Sequence, residues 1–251
     1  MMKCVFHKIK KHPITASLAV AVVLLLAAVI TLTAFLTQKK TREEAQLYYD
    51  MKCESYATQN ANLAKGQIVF IGDSITDLYV LDEHYADLPL AAYNRGIGGD
   101  MTQGVLGRLK VSVTDIEPAY VVLMIGTNDI NWGVDQETIL TNYGKILDTI
   151  YVALPDVELY CMSIIPQNTQ LMEYSDIDVH VTTQKILSVN PKIKELAEGK
   201  GATYLDLFSR LADENNLLIR SYSDDGLHLN KAGLDVWTEL LKPYLLASIT
   251  K

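Results

Sequence analysis

In "VFIGDSITDLY", Val69 to Tyr79, a serine directly follows an apolar run and a Gly-Asp pair. A serine hydroxyl attacks a carbonyl only if a base takes its proton, a carboxylate orients that base, and donors receive the charge developing on the attacked oxygen. Ser74 comes after a strand-like run and would open a helix, so its own N–H can face a ligand. Ser at a helix start is also an ordinary N-cap, and the local sequence leaves both readings open. The search for a base is short, because only His84, His180 and His228 lie beyond the first twelve residues. His228 sits in "SDDGLHLNKAGLDVW" with Asp225 three residues earlier. In a turn that spacing lets the carboxylate reach Nδ1, leaving Nε2 free to accept a proton. Asp224 competes as the orienter at a less suitable spacing, and His228 has a second reading as a cap for the helix beginning near Asn230. His84 and His180 have no partner at a meaningful spacing and read as surface or structural residues.

Donors for a developing oxyanion are available at two further places. Gly98 and Gly99 permit a tight turn with close backbone N–H groups, and Asn128 offers a side-chain amide. Read blandly, "GIGGD" and "GTND" are simple turns between strand and helix. Asp73, Asp77, Asp100 and Asp129 would together suggest a carboxylate metal site, but Asp73 and Asp100 read as turn braces. The chain has no G-x-S-x-G, G-x-x-x-x-G-K, H-E-x-x-H or C-x-x-C pattern, which argues against a nucleophile elbow, a nucleotide site or a zinc site.

The elements that must position these residues alternate along the chain. Strand-length apolar runs fall at 67–72, 91–96, 119–126, 157–165 and 202–207, and helix-like stretches near 101–111, 136–153, 176–198 and 231–247. The alternation predicts an α/β fold, a three-layer α/β/α sandwich on a five-stranded parallel sheet. Runs such as "YVVLMI" agree, since a central parallel strand is buried on both faces. Ligand crevices in such sheets lie beyond the C-terminal strand ends, where "GDSIT", "NRGIGGD" and "GTND" all fall.

Taken together, "IGDSIT", "NRGIGGD", "IGTND" and "DGLHLN" occur in the order of the four blocks of the SGNH hydrolase (GDSL esterase and lipase) superfamily, which residues 66–247 resemble. Ile75 stands where the family's name has leucine. The "NRGIGGD…MTQGVLGRL" stretch looks nearest the platelet-activating-factor-acetylhydrolase-like branch. The resemblance implies a flavodoxin-like SGNH fold and a serine esterase acting on carboxylic esters, short acyl groups such as acetate on a carbohydrate or lipid. It implies Ser74 as nucleophile, His228 as base and Asp225 as its orienter, and an oxyanion hole of the Ser74 and Gly99 N–H groups with the Asn128 amide. No cofactor or metal is implied. Two other readings use the same residues, an O-acyltransferase and a catalytically silent glycan-binding module. The segments 131–137 and 166–179 are expected at the pocket rim, where Trp132 and Tyr174 stack on a sugar or simply pack.

Ahead of this region, Pro13 to Gln38 is free of charge over 26 residues. As a helix rising about 1.5 Å per residue, it exceeds a hydrocarbon core of about 30 Å. It reads as a transmembrane helix or uncleaved signal anchor at 13–38, behind a short basic cytoplasmic segment at 1–12, and Cys4 does not read as a lipoprotein cysteine. Residues 39–65 read as a helical stalk that packs onto the domain and serves as a spacer, and 66–251 as the hydrolase domain. The expected place is the cell membrane, single-pass with the domain extracytoplasmic, or secreted if the segment is cleaved. Beyond residue 44 there are 15 basic against 28 acidic side chains, a net charge of −13. Such a surface repels nucleic acid and suits neutral or weakly charged substrates. Three cysteines make no disulfide framework; Cys161 reads as a buried small hydrophobe, and a Cys53–Cys161 bridge is left open.

Overall fold

A computed structural model describes residues 13–172 and 179–250. The chain divides into two compact units, Met1–Tyr48 and Tyr49–Lys251. In the first unit the described residues belong to helix α1 (Pro13–Asn60), whose apolar side chains from Val22 to Leu36 are exposed. By length and composition α1 can cross a membrane, a test that a signal sequence near an N-terminus also passes. The final turns of α1 belong to the second unit.

The second unit is built on five short parallel strands, β1 (Ile68–Gly72), β2 (Ala92–Gly96), β3 (Tyr120–Met124), β4 (Glu158–Met162) and β5 (Thr203–Leu205). They lie in the order β2-β1-β3-β4-β5, a doubly wound arrangement with its switch point between β1 and β3. Successive strand side chains face opposite ways, and the core divides accordingly. Val69, Ile71, Val121, Leu123, Leu159 and Cys161 join one buried cluster, while Ile68, Phe70, Val122, Met124, Tyr160 and Met162 join the other.

The first cluster is covered by α4 (Thr102–Leu109), α6 (Gln136–Ala153) and α7 (Val179–Gly199). The second is covered by α2 (Ser74–Asp77), α3 (Leu81–Tyr85), α8 (Phe208–Leu211) and α9 (Lys231–Ile249), with Trp237 fully buried at its centre. Between β3 and α6 lies one more short helix, α5 (Thr127–Asn131). Burying each large aliphatic or aromatic side chain contributes about 1.5–3 kcal/mol, so this double core rigidly holds the strand ends on which the loops stand.

The observed strands are shorter than the apolar runs, because ladder pairing stops where the chain turns toward the helices. The helices α2, α3, α5 and α8 are four or five residues long and carry too little periodicity to be read from pattern. Cys53 and Cys161 are free thiols, one in α1 and the other buried in β4, so the open possibility of a bridge is closed.

Candidate active site

Ser74 is the first residue of α2, immediately past the end of β1. It is not the cap. Asp73 fills that position, its carboxylate accepting the Ile75 N–H at 3.0 Å, which leaves the Ser74 hydroxyl for other work. His228 Nε2 lies 2.9 Å from Ser74 Oγ, across a sequence separation of 154 residues. On the other side of the ring, Nδ1 is 2.6 Å from Asp225 Oδ2. An ionised Asp225 places the ring proton on Nδ1, so Nε2 accepts from the serine.

The D-x-x-H turn works through several bonds at once. Asp225 Oδ1 accepts the backbone N–H groups of Leu227 and His228, both at 2.8 Å. Burial pushes this carboxyl's acidity the other way, but the bonds from the His228 ring and the two N–H groups win and hold it at about 2. The turn is tied down where Asn168 N–H donates to the Gly226 carbonyl at 2.8 Å. Gly226 has φ +81°, and a Cβ there would stand 2.1 Å from the Asn168 carbonyl oxygen, so no larger residue fits. Asp224 instead accepts from the Asn230 amide at 3.3 Å, and Asn230 itself caps α9, so neither competing role falls to Asp224 or His228.

Gly99 and Asn128 follow β2 and β3, the two strands that flank β1, and so stand on either side of Ser74 in the sheet order. Gly99 has φ +76°, and nothing lies within 4 Å of where a Cβ would be, so its backbone faces open space. Asn128 donates one amide hydrogen to the Asp100 carbonyl at 2.9 Å, which fixes the plane of the amide. An amide nitrogen carries two hydrogens, so one is left over.

A buried polar layer supports these groups. Arg108 donates to Asp100 Oδ2 at 2.7 Å, to the Arg95 carbonyl at 2.7 Å, to the Gly72 carbonyl at 2.9 Å and to Ser112 Oγ at 2.9 Å. It thereby ties the ends of β1 and β2 to the glycine loop. Asp129 accepts from the Thr102 N–H and hydroxyl at 2.9 and 2.6 Å. Burial lifts the Asp73 carboxyl to about 7; the Ile75 bond opposes this, and Asp100 and Asp129 add to it. Asp73 and Asp100 therefore brace turns, and among the described residues no group of three or more His, Cys, Asp or Glu side chains is arranged to hold a metal.

Sequence reasoning missed Arg108 and Asn94. The available signal for the first was a charge at position 108, within a segment of otherwise apolar and small residues. Asn94 donates to the Thr76 and Tyr79 carbonyls at 2.6 and 2.9 Å and holds the chain just after Ser74 in place. Of the other histidines, His84 is buried with Nδ1 3.0 Å from Thr238 Oγ1, and the His180 side chain lies outside the described residues, as does Tyr174. Trp132 is exposed.

A doubly wound parallel sheet carrying a Ser-His-Asp line at its strand ends defines the class of the protein as an α/β hydrolytic enzyme. Residues 70–236 match the GDSL-like Lipase/Acylhydrolase family, to which the chain belongs, and its chemistry is hydrolysis of ester bonds. It is 28% identical over 190 residues to the platelet-activating factor acetylhydrolase IB subunit alpha1 of Bos taurus, covering 74% of this chain and 77% of that one. A solved structure from Streptococcus pneumonia, described as a platelet activating factor, is 29% identical with a TM-score of 0.77, covering 84% of this chain and 98% of that one. An acetyl xylan esterase from Geobacillus stearothermophilus shares the fold at 19% identity and a TM-score of 0.54, covering 72% of this chain and 95% of that one.

Proposed function

We propose that this protein is a membrane-anchored serine esterase that removes short acyl groups, acetate foremost, from a carbohydrate or lipid. The observation that carries the reading is the unbroken line from Ser74 Oγ through the His228 ring to Asp225, at 2.9 and 2.6 Å. His228 takes the Ser74 proton as the hydroxyl attacks the ester carbonyl. The N–H groups of Ser74 and Gly99 and the spare amide hydrogen of Asn128 receive the oxyanion. His228 then protonates the leaving alcohol, and a water activated by the same ring frees the acid from Ser74.

Preference for a short acyl group draws its support from the relatives named as acetylhydrolases and from the acetyl esterase that shares the fold. Anchoring is supported by the length of α1 and by the exposed apolar side chains of its first half. With that helix in a bilayer, the basic residues preceding it face the cytoplasm and the acidic domain lies outside.

The test uses p-nitrophenyl acetate and intact-mass measurement on the full chain. The wild type is expected to turn the ester over and gain an acetyl mass in a rapid quench, while Ser74→Ala does neither. Turnover by Ser74→Ala at the wild-type rate overturns the reading. Across p-nitrophenyl esters of increasing length, kcat/KM is expected to be highest for acetate, and a maximum at long chains refutes the short-acyl assignment.

A further inference from the structure

Residues 49–60 of α1, expected to act as a spacer, face the loops around Ser74. Tyr56 donates to the Gly96 carbonyl at 2.5 Å, and Tyr49 to the Gly104 carbonyl at 2.9 Å. Arg95 packs over the Tyr56 ring at 4.5 Å and reaches Gln59 and Asn60 at 3.0 and 3.1 Å. Helix α2 fits against β2 here only because Gly96 has no side chain, since a Cβ would lie 2.2 Å from the Asp77 nitrogen.

Within this contact one carboxylate joins α1 to the glycine loop. Asp77 Oδ1 is 2.6 Å from Lys52 Nζ of α1, and Asp77 Oδ2 accepts the Gly98 N–H at 3.2 Å. Both side chains are mostly shielded from water, at 27% and 17% exposed. The peptide that Asp77 holds directly precedes the Gly99 N–H, and Asp77 also closes the short helix that Ser74 opens. Holding the Gly98 N–H holds the Ile97–Gly98 peptide and with it the Gly98 Cα from which the Gly98–Gly99 peptide starts, so Asp77 limits where the loop can carry the next N–H.

We propose that Lys52 and Asp77 are positioning residues for the oxyanion hole: Lys52 orients the Asp77 carboxylate, which aims the Gly98–Gly99 loop at the reacting carbonyl. The juxtamembrane end of α1 is then a working part of the catalytic unit. The proposal rests on the reading of the Gly99 N–H as an oxyanion donor. A donor displaced by a fraction of an ångström still lets substrate bind but stabilises the transition state less, so the loss falls on kcat.

The experiment measures kcat, KM and melting temperature for the full-length enzyme in detergent with p-nitrophenyl acetate. Lys52→Met is expected to lower kcat about tenfold with KM within about twofold, the scale of a small misplacement of a catalytic group. Lys52→Arg is expected to restore most of the rate, and Glu54→Gln, exposed on the same helix, to match wild type. Asp77→Ala is expected to lower kcat further, and adding Lys52→Met to it is expected to cost nothing more, because Lys52 acts through Asp77. Should Asp77→Ala not fold, Asp77→Asn keeps an oxygen for Gly98 but no charge for Lys52, and is expected to match Lys52→Met. Wild-type kcat in Lys52→Met, equal loss in Lys52→Arg, or full additivity with the Asp77 variant overturns the proposal. If Ser74→Ala is inactive while Lys52→Met is fully active, this proposal alone falls; if Ser74→Ala is active, the esterase reading falls with it.

Discussion

Two groups of charged side chains meet at the strand ends, and they are built on opposite terms. The candidate catalytic pair stays wet, with the His228 and Asp225 side chains 30% and 53% exposed. The supporting pair, Arg108 and Asp100, is dry at 1% and 3%. The same contrast separates two carboxyls in this small region: donors hold Asp225 at about 2, while burial lifts Asp73 to about 7. What surrounds a carboxyl, more than its identity, decides whether it serves as a permanent anion or as a costly strut. Changes in the wet group should therefore strike rate, and changes in the dry group stability.

Asp225→Asn gives the sharpest break. Asparagine keeps an oxygen for the Leu227 and His228 N–H groups but can no longer enforce the Nδ1–H tautomer, so kcat should fall by about 10³–10⁴ while the urea midpoint falls only modestly, the lost charge being an exposed one. Arg108→Met should strike stability first, costing about 3–5 kcal/mol in urea unfolding because Asp100 is left as an uncompensated buried charge, with a smaller loss of kcat than Asp225→Asn. If Arg108→Met proved as stable as wild type, the division between wet and dry groups would be wrong.

Asp73 sharpens the comparison through pH. Its folded value of about 7 lies above the ordinary 3.8, so between these limits the folded chain binds more protons than the unfolded chain. Its contribution is fully present below about 4 and is lost as pH rises through about 7. Asp73→Asn, which keeps the acceptor for the Ile75 N–H, should therefore flatten the fall in stability between pH 5 and pH 8, by at most about 3 kcal/mol. Equal slopes for the two proteins in urea titrations at those pH values would remove Asp73 from the account. The smallest effect is expected at the surface pair of Lys65 and Glu117, 66% and 53% exposed. Lys65→Ala should cost less than about 1 kcal/mol, against the several at Arg108, since water screens an exposed pair and no charge is left buried.

Much of the candidate line from Ser74 to Asp225 was legible in the sequence. Ser74, Asp225 and His228 lie in short motifs whose local spacing suits nucleophilic chemistry, and the apolar runs that precede "GDSIT", "NRGIGGD" and "GTND" announce strand ends. The dry layer was far less legible. Arg108 sits in an otherwise plain helix, and nothing in "MTQGVLGRL" says that its guanidinium will reach Gly72 and Arg95. Nor does the polar pattern of "EEAQLYYDMKCESYATQN" reveal that Lys52 and Tyr56 will meet Asp77 and Gly96. Such bonds join residues dozens of positions apart, where periodicity has nothing to report.

By itself the sequence determined the parallel α/β plan, the strand-end positions of the candidate groups, the D-x-x-H turn and the presence of a long apolar helix. These follow from interactions between near neighbours in the chain and from the two- and 3.6-residue periods of its elements. Only the tertiary structure decided that Asp73, and not Ser74, caps α2, that His228 faces Ser74 across 154 residues, and that Lys52 and Tyr56 of the expected spacer reach Asp77 and Gly96. Each of these depends on which strands lie side by side and on how closely Gly96 and Gly226 let backbones approach, distances set by packing the whole core.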